Sequence, residues 1–369
     1  MKKLIAITIL TLLLSLLIAD EKTDNVVDTS VRISGQWFMA YRGNIPSEGD
    51  DTFGLKRGYL TFKKNLNETF SIRYTQDITI DDEGDDAGNV EIRFKYCYIK
   101  MDLPELLFFT DPFIEVGLVH QPWLEFEQKI NTYRVQGNMF LDRFKVTSSA
   151  DFGFNAVALL GGKLDEEARK KVDSSLPGKY GSVSFGVYNG GGYHAVEVNN
   201  NKTVEGRLSL RPFPGFLPGL QISYAGAFGK ANDSLSAPYH MNVIYLTHET
   251  LKTTLAAQYY TGRGFHGESG GLNHGVSVFA EACIPFTPLI IFGRYDYFSE
   301  NIPMSLPSSY GPTTHYVTIA GIAWKFYKNN RLLLDIERSH AYGFSDPWSS
   351  SMDVLYDNTF VEMALEIVF

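Results

Sequence analysis

The sequence predicts an all-β protein, a transmembrane antiparallel β-barrel of sixteen strands that follows a cleaved N-terminal signal peptide. Three features predict this fold: an export signal at the start, a series of segments with alternating polarity, and connections that are in turn short and long. Side chains alternate between the two faces of a strand, whereas in a helix they recur about every 3.6 residues. A period of two therefore indicates strands.

The first 19 residues have the form of a secretory signal peptide. Lys2 and Lys3 precede an apolar run from Leu4 to Ile18, and a polar, acidic sequence follows Ala19. The run is short for a membrane-spanning helix. We therefore expect cleavage after Ala19 rather than a retained membrane anchor.

The mature chain then divides into a periplasmic lead-in, residues 20–30, and the barrel, residues 31–369. The formal charge of the whole chain is −9, and the loss of Lys2 and Lys3 brings it to −11. A protein this acidic is not expected to bind nucleic acid. The eight histidines show no metal-ligand spacing, so neither a metal nor another cofactor is expected.

The alternating segments begin at Val31. In TFSIRYTQDITI, residues 69–80, Phe70 and Ile72 lie on one face and Arg73 on the other. The predicted strands are residues 31–42, 55–65, 69–80, 90–101, 113–120, 152–161, 181–189, 203–212, 219–230, 239–247, 251–261, 275–285, 288–298, 314–326, 331–341 and 358–369.

The connections between these strands alternate in length. Tight turns are predicted at residues 66–68, 248–250, 286–288 and 328–330, whereas the connections between them are longer and polar. Short turns at one end and long loops at the other are typical of outer-membrane barrels. The connection 162–180 is long on the short-turn side, and LDEEARKKVD, residues 164–173, predicts a periplasmic helix there.

The two faces of the strands favour a water-filled barrel over a soluble β-sandwich or propeller. One face carries charge in mid-strand, at Arg73, Arg93, Lys95, Glu205, Arg207, Arg294, Asp296, Asp335 and Glu337. The other face is apolar, with aromatic residues near strand ends at Trp37, Tyr41, Tyr96, Tyr98, Tyr245, Tyr259, Tyr295, Tyr297 and Trp324. A sandwich needs a second apolar layer, whereas aromatic rings near strand ends suit membrane interfaces. Small residues on the charged face are expected to leave room for water: Ser223, Ala225, Ala227, Thr254 and Ala256.

The chain ends in an alternating strand, FVEMALEIVF, whose last residue is Phe369. Because a barrel cannot leave a free edge in lipid, this strand must pair with the first one. Val361 to Phe369 on the apolar side are expected to face lipid. The terminal Phe369 also resembles the signal by which the barrel assembly machinery recognises bacterial outer-membrane proteins.

Four stretches carry a resemblance to a known family: GLKRGYLTFKKNLNETFSIRYTQDITID (54–81), IEVGLVHQPWLEFEQ (114–128), NMFLDRF (138–144) and LRPFPGFLPGLQISYAGAFG (210–229). On these stretches the front half of the barrel resembles the phosphate-selective porin O and P family. The resemblance implies a barrel in the outer membrane of a Gram-negative bacterium, in contact with lipid and lipopolysaccharide. It also implies a homotrimer, with residues 121–151 folded into the lumen as a constriction loop. It does not imply phosphate selectivity, because fold does not fix function.

Passive transport through such a pore depends on its width and electrostatics, so inward basic residues are the candidate selectivity residues. On the strands they are Arg57, Lys63, Arg73, Arg93, Lys95, Arg207 and Arg211. In the predicted constriction loop they are Lys129, Arg134, Arg143 and Lys145. Fixed cations concentrate anions, and the guanidinium fork suits phosphate and carboxylate groups. One interpretation is therefore a porin for small hydrophilic solutes with a preference for anions.

Ion pairing would instead give a weakly selective general porin. The candidate pairs are Arg73 with Asp77 or Glu91, and Arg294 with Glu281 or Asp296. Acidic residues dominate the last four strands and would favour cations: Asp296, Asp335, Glu337, Glu362 and Glu366. A structural barrel with a filled lumen and an outer-membrane enzyme are also compatible with a barrel fold. The enzyme is the least supported, because no Ser and His lie together on the outer face.

Other short motifs do not support a different chemistry. GESGG, residues 267–271, has the G-x-S-x-G form but lies in a loop without the strand-to-helix turn of a hydrolase. YNGGG, 188–192, lacks the Lys-Ser/Thr of a phosphate loop. DDEGDD, 81–86, predicts a solvated acidic loop, with a divalent-cation site as the alternative. Cys97 and Cys283 lie in separate strands and are expected to be small packed thiols, although an exported protein allows a disulfide.

Overall fold

The computed structural model describes residues 27–45, 51–81, 84–85, 87–172, 176–301, 312–343 and 352–369. The predicted signal peptide lies outside the described residues, as do most of the lead-in, part of the acidic loop DDEGDD and Asp173.

The described residues contain sixteen antiparallel strands that form one closed barrel, and this confirms the predicted fold. The strands are β1 (Val31–Ile45), β2 (Thr52–Asn65), β3 (Phe70–Ile80), β4 (Val90–Asp102), β5 (Phe109–His120), β6 (Ala150–Leu160), β7 (Gly181–Tyr188), β8 (Thr203–Leu210), β9 (Leu220–Lys230), β10 (Pro238–Glu249), β11 (Thr253–Arg263), β12 (Leu272–Cys283), β13 (Leu289–Glu300), β14 (Thr313–Tyr327), β15 (Asn330–Gly343) and β16 (Asp353–Val368). Each strand pairs with its neighbours in sequence, and β1 pairs with β16 to complete the ring.

Three short helices lie in the connections. Helices α1 (Pro122–Ile130) and α2 (Phe140–Arg143) belong to the β5–β6 connection, and α3 (Glu166–Arg169) to the β6–β7 connection. The Asp165 side chain caps α3 by accepting a hydrogen bond from the Ala168 N–H at 2.8 Å. The helix predicted in 164–173 is therefore present, but it is shorter than expected. No helix in the described part of the chain is both long and apolar enough to cross a membrane.

The chain terminus is held by the first strand, as predicted. The Gly35 N–H donates to the Phe369 carbonyl at 2.9 Å, and the Phe369 N–H donates to the Gly35 carbonyl at 3.1 Å. The ring of Phe369 lies against Gly35, where the Cβ of any other residue would overlap it. A larger residue at this position would therefore displace the ring of Phe369.

Residues of β16 divide between the two faces as their alternation predicts. Val361 and Met363 are exposed on the outside, whereas Glu362 and Glu366 are buried inside the barrel. The outer surface of the ring is therefore apolar, and the charged side chains point inward.

Two β-bulges change the facing of side chains that strict alternation assigned otherwise. Lys56 is an extra residue in β2 opposite β1, and Lys95 is an extra residue in β4 opposite β3. After the second bulge, Tyr96 and Tyr98 turn to the inside, where they contact His120, and their predicted place in an outer aromatic belt is wrong. Tyr245 was assigned outward as well, but it is buried inside the barrel. The predicted outward facing holds for Tyr259, Tyr295 and Trp324, which are about half exposed.

We expect Gly35→Val to weaken closure of the barrel, because the new side chain would displace the ring of Phe369. Overpacking of this kind costs about 1–3 kcal/mol. The measurement is the temperature at which the detergent-solubilised barrel changes from folded to unfolded mobility on a gel. Gly54→Val is the matched control, because no atom lies within 4 Å of a Cβ built there. Equal transition temperatures for the two variants would contradict the role of Gly35.

Candidate channel constriction

The β5–β6 connection, residues 121–149, folds into the barrel and is called the inward loop below; the last two residues of the predicted loop, 150 and 151, belong to β6. Pro122 opens α1, where a residue without an N–H fits because the first turn has no internal acceptor for it. Trp123, Phe126 and Ile130 then recur on one helical face, and all three are buried.

The apolar face of the inward loop packs mostly against the inner sides of β9 to β14. The ring of Trp123 meets that of Tyr245 edge-on, with centroids 5.3 Å apart, and Tyr133 stacks on Phe292 at 4.2 Å. One side of the lumen is therefore filled by a continuous apolar core.

Small side chains on the barrel wall make room for this core. Ala225, Ala227 and Ala256 belong to the same buried cluster as Trp123 and Phe126. The expectation that these positions leave space for water is wrong, because the space is occupied by the inward loop.

Basic side chains of the barrel wall hold the inward loop through its backbone carbonyls. Arg207 Nε donates to the Pro122 carbonyl at 3.2 Å, Lys56 Nζ to that of Gln136 at 2.7 Å, Arg294 to that of Asn138 at 2.8 Å, and Arg331 to that of Thr132. Thr132, Gln136 and Asn138 lie outside helices and strands, so the bonds to their carbonyls satisfy acceptors that have no partner within secondary structure. The bond to Pro122 instead anchors the first turn of α1. These cations therefore position the loop.

Arg207 and Arg211 were expected to face the channel, but the structure places them elsewhere. Arg207 is 4% exposed beneath α1, with its guanidinium 4.2 Å from the centroid of the Phe126 ring. Arg211 is 2% exposed and donates to the carbonyls of Leu176, at 2.9 Å, and Gly178. It thereby fixes the long connection at the short-turn end.

Carboxylates of the wall hold side chains of the same loop. Glu337 accepts two bonds from Arg143, at 2.5 and 3.0 Å, and one from Gln136 at 2.7 Å. Arg143, a candidate selectivity residue, is thus paired. Arg294 pairs with Asp296 at 2.8 Å, which is one of the two pairings expected for it.

Glu127 of α1 is buried where the inward loop faces β11. One carboxylate oxygen accepts a bond from Gln258 at 2.6 Å, and the other has no hydrogen-bond partner among the described residues. Burial raises the pKa of Glu127 to about 7, although Gln258 and Arg294 act in the opposite direction. Asp296 and Asp142 add to the increase.

Two polar cavities approach the inward loop from opposite ends of the barrel. The cavity at the short-turn end has a volume of about 560 Å³, and its lining includes Lys63, Arg73, Lys129 and Arg331. The cavity at the long-loop end has a volume of about 470 Å³, and its lining includes Arg57, Arg93 and Lys145. Lys95 and Arg134 line both cavities. The two cavities therefore lie on either side of these two residues, between the inward loop and the β2–β4 wall.

Lys95 and Arg134 are held by neutral partners. Lys95 donates to the Ser149 hydroxyl at 2.7 Å and lies 4.7 Å from the ring centroid of Tyr193 and 5.4 Å from that of Tyr59. Arg134 donates to the Tyr59 hydroxyl at 2.6 Å and lies over the same ring at 5.0 Å. None of the ion pairs between described residues includes either cation. Rings and hydroxyls orient the two charges without cancelling them.

Arg73 has the same kind of surroundings. Its guanidinium contacts His120 at 3.1 Å and the Thr75 hydroxyl at 3.0 Å, and it lies 4.5 Å from the centroid of the Tyr96 ring. The expected pairing of Arg73 with Asp77 or Glu91 is wrong, because other arginines take these acids. Arg57 binds Asp77 through two bonds of 2.7 Å, and Arg93 lies 3.6 Å from Glu91.

Several residues of the site were not anticipated, although the sequence carried a signal for some of them. Lys56 precedes Arg57, and strict alternation would place one of two adjacent cations against lipid. The bulge removes this conflict by turning both inward, where they bind Glu362 and Asp77 respectively. Tyr193 lies in a loop, where alternation gives no information.

The short motifs have structural roles. Ser269 of GESGG donates its hydroxyl to Asp233 at 2.8 Å, and its N–H to the same carboxylate at 2.7 Å, so it fixes a loop.

Cys97 and Cys283 are free thiols, and both are exposed rather than packed as expected.

Comparisons with known proteins agree on the fold. Three solved structures with similar folds are OmpF of Salmonella typhi in complex with daunomycin (TM-score 0.60, 12% identity, 92% of this chain and 98% of that one), the anion-selective porin from Comamonas acidovorans (0.58, 12%, 93% and 100%), and in-vitro folded OmpT of Vibrio cholerae in a trimer form (0.55, 11%, 92% and 99%). No protein-family model matches the chain, and no curated protein matches it significantly. At identities this low, the structural similarity establishes a shared fold and nothing finer: the chain is a porin-like barrel of sixteen strands.

We expect the docked state of the inward loop to be more stable at pH 5 than at pH 8. The pKa of Glu127 is higher in the docked loop than its ordinary value near 4.5, so the docked state binds the proton more tightly. The stabilisation, roughly 1–3 kcal/mol, is complete below the ordinary pKa of the carboxyl group and is lost as the pH rises through about 7. Hydrogen exchange of residues 122–146, corrected for the intrinsic effect of pH, measures it.

Glu127→Gln should reduce this pH dependence, because the amide is neutral at both pH values. Glu125→Gln is the control. Burial opposes ionisation of Glu125, but Lys129 and His120 favour the charged form and lower its pKa to about 2, below the tested range. Unchanged pH dependence in Glu127→Gln would show that another group titrates.

Proposed function

We propose that this protein is an outer-membrane porin through which small hydrophilic solutes diffuse passively. The observation that supports this most strongly is a pair of polar cavities that enter the barrel from opposite ends and share Lys95 and Arg134 in their linings, beside a loop that fills only part of the lumen. No catalytic step is part of the proposal.

The bacterial outer membrane is the proposed location. Closure leaves no unpaired strand edge, and the outer face of the strands presents exposed apolar side chains to lipid, for example Ile244, Leu255 and Ile291. The proposed partners are outer-membrane lipid, lipopolysaccharide and the barrel assembly machinery, which Phe369 would engage before closure. A homotrimer is also proposed, since OmpT of Vibrio cholerae has been solved in a trimer form.

A preference for anions is the finer part of the proposal. Lys95 and Arg134, which line both cavities, and Arg73, which lines the short-turn cavity, are held by rings, hydroxyls and an imidazole, so their charges are not cancelled by a carboxylate. Lys95 is itself only 3% exposed, so it would act on a solute through its field. Asp142 of α2 lines the long-loop cavity, but burial raises its pKa despite the cations nearby. Ser149 lines the same cavity, and because its hydroxyl oxygen accepts the bond from Lys95, its proton can be donated to an oxyanion.

The phosphate-selective porin O and P family remains the proposed relationship at the finest level. The anion-selective porin from Comamonas acidovorans shares the fold at 12% identity. The ionic preference is therefore argued from the cations of this chain. A weakly selective pore is the second candidate, and the ion pairs of Arg57 and Arg143 favour it.

Purified protein in planar bilayers should give discrete open channels with a reversal potential on the anion side in a salt gradient. Arg134→Gln and Lys95→Met should each shift that potential toward cations, and the double variant should shift it further. Arg338→Gln is the matched control, because Arg338 is exposed and pairs with Asp357 at 2.8 Å. Bilayers that stay silent at all voltages would refute the porin. A wild-type potential near zero would favour the weakly selective pore, and a cation-side potential would exclude anion preference.

Tyr59 is expected to set selectivity through the cations it orients. Tyr59→Phe removes the hydroxyl bond to Arg134 and keeps the ring, whereas Tyr59→Leu also removes ring contacts worth about 0.5–2 kcal/mol each. Anion preference should fall slightly in the first variant and markedly in the second, as read from reversal potentials. Tyr259→Leu, on the outer face, should leave it unchanged. Wild-type selectivity in Tyr59→Leu would disprove the role.

A further inference from the structure

Bulky apolar side chains stand at the tips of the short turns without cover from the described chain. Leu107 is 90% exposed, Phe216 is 89% exposed and Phe286 is fully exposed. They lie in the β4–β5, β8–β9 and β12–β13 turns, and Leu251 of the β10–β11 turn is 63% exposed. These four residues, called the apolar rim below, are spread along one end of the barrel.

The turns that carry the rim are held by hydrogen bonds. Leu106 and Phe109 exchange backbone bonds of 3.2 and 2.9 Å around Leu107. The Thr287 N–H donates to the Ile284 carbonyl at 3.2 Å across Phe286. The tips therefore have defined positions, and their exposure is not the result of a loose loop.

Two rim residues adopt a backbone conformation that their side chains disfavour. Leu107 has φ of 53° and Phe286 has φ of 63°, in the left-handed region where glycine, asparagine and aspartate are normal. A turn surrounded by water would be more stable with one of these residues. Neither side chain is covered by the described chain, so neither is stabilised by burial within it. Lys328, at the tip of the β14–β15 turn, has a similar φ of 49°, so the exposure of the side chains rather than the backbone conformation carries the inference.

The apolar rim continues the apolar outer surface of the strands. Ile291 and Leu255, near the same end, are each about half exposed on the outer face. Trp324 and Phe326 lie together on the outside of β14, with ring centroids 5.7 Å apart. The inner side of this end is polar, because Lys325 lines the short-turn cavity. The surface is thus apolar toward the outside and polar toward the lumen.

We propose that the apolar rim inserts into the acyl chains of the inner leaflet, so that lipid rather than periplasmic water surrounds the tips of the short turns. This inference rests on the proposed membrane location and adds to it the depth at which the barrel sits. Insertion of Leu and Phe side chains removes apolar surface from water, and rim residues on several turns oppose tilting of the barrel.

Single cysteines test the depth of the rim directly. Cys97→Ser and Cys283→Ser provide the background, after its gel mobility has been shown to match that of the wild type. Leu107→Cys, Phe216→Cys and Phe286→Cys are then labelled one at a time with a polarity-sensitive fluorophore in phospholipid vesicles. We expect blue-shifted emission, and quenching when the vesicles contain lipids with brominated acyl chains.

Two control positions separate this inference from the proposed location. Leu235→Cys, at a 61% exposed site on the long-loop end, should report water, and Ile244→Cys, on the outer face in the middle of β10, should report hydrocarbon. If Ile244→Cys is quenched while the three rim positions resemble Leu235→Cys, the inference is overturned and the membrane location stands. If Ile244→Cys also reports water, the membrane location itself fails.

Discussion

Closure of the backbone hydrogen-bond ring is the constraint on which the rest of the structure depends. A ring has no edge strand, so its outer surface can be apolar without leaving unpaired N–H and C=O groups beside it. Closure also makes each strand divide its side chains between an outer and an inner face. In β16 this places Val361 outside and Glu362 inside, and two backbone bonds between Phe369 and Gly35 complete the ring.

A ring of sixteen strands encloses more space than its own side chains can fill, and the inward loop fills one side of it. Trp123 and Phe126 pack into an apolar wall, whereas on the other side Lys95 of the wall reaches Ser149 of the loop beside the polar cavities. One side of the lumen is therefore filled by apolar side chains, and the other side is polar and contains the cavities. Arg207 and Arg294 donate hydrogen bonds to carbonyls of the loop, so the position of the polar side depends on bonds that hold the loop in place.

The sequence was sufficient to predict the strands, their antiparallel order and the closure at Phe369, because a period of two is visible in each segment. It failed where one extra residue reversed the alternation, as Lys95 does for Tyr96. It also could not distinguish an inward residue that meets water from one that meets the loop. Arg73 and Arg207 have the same predicted facing, yet the first lines a cavity and the second is buried under α1.

The electrostatic character of the lining that the two cavities share follows from the partners of its cations rather than from their number. Arg57 binds Asp77 through two bonds, and such a pair has little net field at a distance. Lys95 is held instead by a hydroxyl and the faces of aromatic rings, and these partners carry no net charge. Lys95 is thus oriented in advance, and its uncancelled charge is what the proposed anion preference requires. The aromatic residues Tyr59 and Tyr193 are therefore as much a part of the proposed selectivity as the basic residues they hold.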